Sequence, residues 1–223
     1  MDPWEVFRSL RGLHGSPHPE RWVPGLQHRS IPRRPSLWRD PEPSYPPSEC
    51  QLNPYLEHRS FGPPPLYFNI GLGTGGIVFY EPEGTIPLEA ADRAQPATYP
   101  LLTEMYIDTV GDDPSRTFLW PFPIHNPNGI LCQDVFEAIC VNFEQYISQD
   151  EYDSWPESLQ NRCTRSYNAR LATANSWNPE LSPPSNDGLR RIDYMGDRFM
   201  FRGLEPHPND SSWTLFVGPV GPS

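Results

Sequence analysis

The order of segments in the last third of the chain most constrains its fold. Val135, Ile139, Phe143 and Ile147 recur every four residues with Phe136 and Cys140 beside them, which gives a helix one wide apolar stripe. Leu159, Cys163, Tyr167 and Leu171 repeat that spacing in a second, Arg-rich helix expected to run to about residue 174. After a loop at 179–188 the period changes to two. Arg191-Ile-Asp-Tyr-Met195 and residues 199–204 read as a hairpin around Gly196-Asp197, and Trp213-Thr-Leu-Phe-Val217 reads as a closing strand. Further strands are expected at 66–70, 77–80, 104–110 and 118–124, with an irregular Pro- and Glu-rich stretch at 81–100. Helices and strands that each carry one apolar face bury them against one another in two layers. The expected architecture is therefore α+β: an antiparallel sheet of about five or six strands with two main helices packed on one face.

Local signals refine this. Asn128-Gly129 should form the turn that opens the first helix, and Ser148-Gln-Asp-Glu151 and Ser154-Trp-Pro-Glu157 both read as capping boxes. At about 100° per residue, Arg162 and Arg165 face solvent while Arg170 falls beside the apolar stripe. A half-buried Arg needs a carboxylate, and Asp134 and Asp193 are the available ones. Asp193 is the expected partner in a structural ion pair with Arg170.

Ten of the 30 prolines fall in residues 1–50. Residues 1–47 accordingly read as a Pro-rich, largely disordered arm, followed by one domain at 48–218 and a tail at 219–223. All 17 basic residues are Arg, so the chain has no Lys for a Schiff base or a Walker loop. Residues 1–50 balance seven Arg against six acids, whereas residues 51–223 set ten Arg against 22. A domain that acidic repels phosphate backbones, which argues against nucleic acid as a partner. No apolar run reaches membrane-spanning length and no secretory leader is visible, so the four cysteines are expected as reduced thiols in a cytoplasmic or nuclear protein.

The chemistry-bearing motifs are few. Gly71-Leu-Gly-Thr-Gly-Gly76 fits G-x-G-x-x-G, but the strand-like Ile77-Val-Phe-Tyr80 follows it where a dinucleotide site needs a helix N-terminus. A glycine-rich turn is the simpler reading. His125 and His207 lack partners at metal-ligand spacing, and the acidic runs at 112–113 and 150–153 lack a calcium loop's alternation. Cys132, Cys140 and Cys163 lie on or beside apolar helix faces, and no G-x-S-x-G occurs. No catalytic, cofactor-binding or metal-binding residue is assigned, and the balance leans away from an enzyme. In the arm, Arg29-Ser-Ile-Pro32-Arg33-Arg34-Pro35 fits R-x-x-P-x-x-P, the pattern read by SH3-type grooves, and Arg33-Arg34-Pro35-Ser36 fits a basophilic kinase site. The preferred reading is a non-enzymatic interaction module whose arm binds a protein partner. The alternative is a small enzyme or ligand-binding protein with a cleft between sheet and helices. A deep polar pocket favours the alternative, and a filled core with an exposed apolar patch favours the module. No feature sets the oligomeric state.

An ordered set of blocks carries a family resemblance: Tyr99-Pro-Leu-Leu-Thr103, Trp120-Pro121, Asn128-Gly-Ile with Asp134-Val-Phe-Glu-Ala-Ile139, Arg170, Arg191-Ile-Asp-Tyr-Met195, Phe201-Arg-Gly-Leu204 and Trp213-Thr-Leu-Phe216. Over about residues 50–218 the chain resembles the domain of unknown function 6699 family of mushroom-forming fungi. Cys132 departs from that family, which places Thr or Ser near the start of the first helix. The resemblance implies a small α+β domain in a fungal cell and supplies neither an activity nor catalytic residues.

Overall fold

Alternating exposed and buried side chains form the strand β5 (Glu104–Val110), as the spacing predicts. Met105, Ile107 and Val110 enter the core, and Glu104 and Tyr106 stand on the outer face. The computed structural model of the chain describes residues 46–59, 64, 66–81, 84–99, 101–111, 118–177, 187–208 and 211–219. Within them β6 (Phe122–His125) pairs antiparallel with β5, Glu104 opposite His125 and Tyr106 opposite Pro123. On its other side β5 lies parallel to β8 (Trp213–Gly218), which pairs antiparallel with β7 (Met200–Pro206). The sheet is thus four-stranded and mixed, in the order β6-β5-β8-β7, and not antiparallel with five or six strands. The cause is direction: β8 turns back from β7, and that return runs the same way as β5.

Two small antiparallel ladders stand beside it, β1 (Gln51–Leu52) with β4 (Thr98–Tyr99) and β2 (Val78–Glu81) with β3 (Gly84–Pro87). Residues 81–100, expected to be irregular, therefore hold β3, the short helix α1 (Ala90–Arg93) and β4. The expected strand at 66–70 makes isolated bridges, Tyr67 to Val78 and Asn69 to Met200. It still helps to cover the outer edge of β7, whose Phe201 N–H donates to the Phe68 carbonyl and whose Leu204 N–H donates to the Leu56 carbonyl.

The first long helix is α2 (Cys132–Glu144), and its stripe of Val135, Phe136, Ile139, Cys140 and Phe143 is buried. The turn at Asn126–Gly129 leads into it, closed by the Gly129 N–H on the Asn126 carbonyl. With Leu131 at the N-cap and Cys132 first in the helix, no side chain caps the first turn; the Cys132 N–H donates to the Gln95 carbonyl (2.8 Å), and the Asp134 carboxylate accepts from the Leu131 N–H (2.8 Å) and from Asn126 Nδ2 (2.7 Å). Phe68 meets Phe136 at 5.5 Å and Phe201 at 5.6 Å, and Phe136 meets Phe201 at 6.1 Å. These rings fill the space between α2 and the sheet, each worth about 1.5–3 kcal/mol of burial.

Ser148 caps α3 (Gln149–Asp153) in the expected box, its backbone N–H donating to Glu151 Oε2. The second expected box does not form, since the Ser154 hydroxyl donates to the Glu151 carbonyl and ends α3 instead. The second long helix, α4 (Glu157–Trp177), follows Pro156 and packs on α5 (Arg191–Tyr194). That last helix corrects the sequence reading at 191–195, expected as the first arm of a hairpin. Asp193 folds its carboxylate back onto the Arg190 N–H (2.8 Å), which closes a helical turn, and Ile192, Tyr194 and Met195 are all buried. Three neighbours buried together are not the alternation of a half-exposed strand.

Candidate functional site

The arm residues singled out by sequence, Arg29, Pro32, Arg33, Arg34, Pro35 and Ser36, lie outside the described residues. Arg170 and Asp193 lie within them and meet. The Arg170 Nε and Nη2 donate to Asp193 Oδ1 (2.9 Å) and Oδ2 (2.8 Å). Its Nη1 donates to Asp187 Oδ2 at 2.6 Å, a partner that sequence reasoning missed. Asp187 Oδ1 accepts in turn from Arg190 Nη2 (3.1 Å) and the Tyr146 hydroxyl (3.2 Å). Both carboxylates are 2% exposed and Arg170 is 21% exposed. Burial opposes charge on Arg170, but its hydrogen bonds to Asp193 and Asp187 outweigh it and hold the guanidinium above its ordinary value. Burial likewise opposes charge on Asp187, and its bonds from Arg170 and Arg190 hold it below the usual carboxylate range. Every oxygen of the two carboxylates accepts from a donor, so the cluster is a clamp joining α4, the segment at 187–190 and α5. Asp134, the other candidate for Arg170, serves the start of α2 instead.

The glycine cluster forms two successive 3₁₀ turns, Ile70–Leu72 and Thr74–Gly76, and then enters β2. Its backbone is already engaged: the Gly71 N–H donates to Asn69 Oδ1 (2.9 Å), and Arg93 Nη2 donates to the Thr74 carbonyl (2.7 Å). A phosphate there finds no helix N-terminus beyond the loop. Among the described residues, no three His, Cys, Asp or Glu side chains gather as a metal site. Burial pushes the Cys140 and Cys163 thiols up to about 12, and burial followed by the nearby Asp92 raises Cys132 as well. Thiols so raised are poor nucleophiles.

What remains is a shallow groove of about 540 Å³ on the outer face of β5 and β6. Tyr106 and Pro123 form its floor as a cross-strand pair, and Tyr106 is 43% exposed. Trp213, almost wholly buried, closes it from β8, and Pro46 and Pro47 wall it where the described chain begins. Its polar members include the exposed pair Glu104 and His125, 3.6 Å apart, a contact worth little energetically. The Asn126 N–H donates to the Thr103 carbonyl, which sets the hydrogen-bonded pairs at Met105–Ile124 and Ile107–Phe122. The backbone of Pro123 and His125 therefore faces the open edge, and Pro123 has no N–H to offer a new strand. The groove suits an apolar, proline-bearing segment lying across the sheet better than one added to its edge. No helix among the described residues is long and apolar enough to cross a membrane.

A family model described as "Family of unknown function (DUF6699)" matches residues 43–211. No curated protein and no solved structure matches the chain.

Proposed function

The chain belongs to that family of unknown function, and on that footing we propose that it is a non-enzymatic protein-interaction module: an α+β domain that anchors a Pro- and Arg-rich binding arm. The observation that carries this reading is the filled space between α2 and the sheet, together with an apolar groove on the opposite face beside the root of the arm. A filled interior and an accessible apolar surface serve recognition more readily than turnover. The arm supplies the chemistry of the partner. Arg29, Pro32 and Pro35 fit a polyproline II ligand for an SH3-type domain, and Arg33, Arg34 and Ser36 form an adjoining site for a basophilic kinase.

The test is titration of the full chain with purified SH3 domains, followed by calorimetry. Binding in the micromolar range, abolished in Pro32→Ala/Pro35→Ala and weakened in Arg29→Ala, is the expected result. Equal binding by the wild type and both variants, or no binding across a broad SH3 panel, sinks the assignment of the partner. Phosphate on Ser36 adds about −2 charge beside Arg33 and Arg34, and weaker SH3 binding by the phosphorylated chain is expected.

A further inference from the structure

The arm enters the domain at the groove. Forty-five residues precede Pro46, and Pro46 and Pro47 already form one wall of the cavity, Pro47 itself buried. The eight residues before Pro46 are Trp38-Arg-Asp-Pro-Glu-Pro-Ser-Tyr45, two aromatic rings flanking two prolines. In polyproline II geometry they reach about 25 Å, several times the roughly 5 Å between neighbouring strands. We propose that this chain's own segment 38–45 occupies the groove on β5 and β6, its rings and prolines against Tyr106 and Pro123.

Two observations favour this occupant. The lining and the segment have the same chemistry, since Pro–aromatic contacts are how polyproline II ligands dock. Tethering does the rest: a segment joined directly to the groove wall has a high effective concentration there, so weak contacts suffice. The docking rests on the reading of the arm as the binding element, and it stores the arm against the domain with residues 29–36 next to the occupied groove.

Trypsin tests it on the full chain. With no Lys present, every tryptic site is an Arg, and the Arg39–Asp40 bond lies inside the segment while Arg29–Ser30 lies outside. Each cleavage rate is divided by that of a synthetic peptide covering residues 25–47, which removes the enzyme's own preferences. Arg39 is expected to be about tenfold protected and Arg29 unprotected, because cleavage follows the open fraction. Tyr106→Ala and, separately, Pro123→Ser should remove the protection with little change in melting temperature. Cleavage of Arg39 at the peptide's rate in the wild type overturns the proposal, as does protection that survives both substitutions. Protection that fades on dilution also overturns it, by assigning the groove to a second copy. If either variant melts early, the wild-type ratio of Arg39 to Arg29 decides alone. The SH3 titration reads Arg29 to Pro35 and does not depend on this result, so the two readings fail separately.

Discussion

Arg170 is the side chain on which most charge depends. It spans two carboxylates that are almost wholly buried, and removing it leaves Asp193 without a guanidinium and Asp187 with Arg190 alone. Breaking a buried pair from one side costs about 3–5 kcal/mol. Arg170→Ala should therefore lower the melting temperature by roughly 2–4 °C for each of those kcal/mol. Arg170→Lys should recover only part, since an ammonium cannot fork across two carboxylates. Scanning calorimetry decides it, and an unchanged melting temperature removes the clamp from the account of stability. Acid acts on Asp187 of this clamp and on Glu151 outside it. Asp187 is held low once the Arg170 and Arg190 bonds overcome burial, and Glu151 is held low by the Trp120 indole N–H and then the Ser148 N–H. A carboxyl whose folded value is depressed stabilises fully above its unfolded value near 4, and this contribution is lost as pH falls through the folded value. Melting temperature should hold above about pH 5 and fall below about pH 4, and Asp187→Asn should flatten part of that fall. The position of Arg170 beside an apolar stripe made its need for an acid legible in sequence. Asp187 was not legible, because it sits between an irregular loop and a short helix where no period points to it.

Four of the helices, long α2 among them, share one device, an acid at their third position that returns to the backbone N–H before the first turn. Asp92 does this for Glu89 (3.1 Å), Asp134 for Leu131, Glu151 for Ser148 and Asp193 for Arg190. Sequence reading found the box at Ser148 because a hydroxyl marks that motif. It misplaced Arg191–Tyr194 because Arg190 gives no such mark, and four residues are too few to separate a helical turn from a strand. Strand β5 was legible from its alternation, whereas the parallel pairing of β5 with β8 depends on how distant segments return and leaves no local trace. The groove was invisible for the same reason, since Tyr106, Pro123 and Trp213 come together only through cross-strand register. Register also explains Gly203 in β7, where φ is +123° and an added Cβ would stand 2.4 Å from the backbone of His58. Gly203→Ala should force the segment at 57–58 off β7 and cost about 2–4 kcal/mol. Gly75, in the glycine cluster, has nothing within 4 Å of such a Cβ, so Gly75→Ala should be neutral or stabilise by about 0.4–1 kcal/mol. Denaturant midpoints of the two variants make the comparison, and a costly Gly75→Ala would show that the cluster does more than turn the chain.

Stability is not uniform across the fold, and the four thiols report its gradient. Helix α2 lies in the main core with Cys132 and Cys140 on its buried face. Helix α4 is peripheral: among residues 157–172 only Cys163 is buried, and the helix is held through α5 and the Arg170 clamp. An element with few buried apolar contacts opens before the core does. Cys50, half-exposed, should react first with an aromatic disulfide reagent at about pH 8, where ordinary thiols are partly ionised. Burial holds Cys140 and Cys163 far above that range, so both wait for opening. Cys163 should follow Cys50 through detachment of α4, and Cys132 and Cys140 should react last, together, at the rate of global unfolding. Arg170→Ala loosens the clamp directly, so it should speed Cys163 more than it speeds Cys140. Labelling followed site by site by mass spectrometry separates the possibilities. If Cys140 reacts with or before Cys163, α4 opens no more easily than the core, and the clamp secures the whole fold instead of its outermost helix.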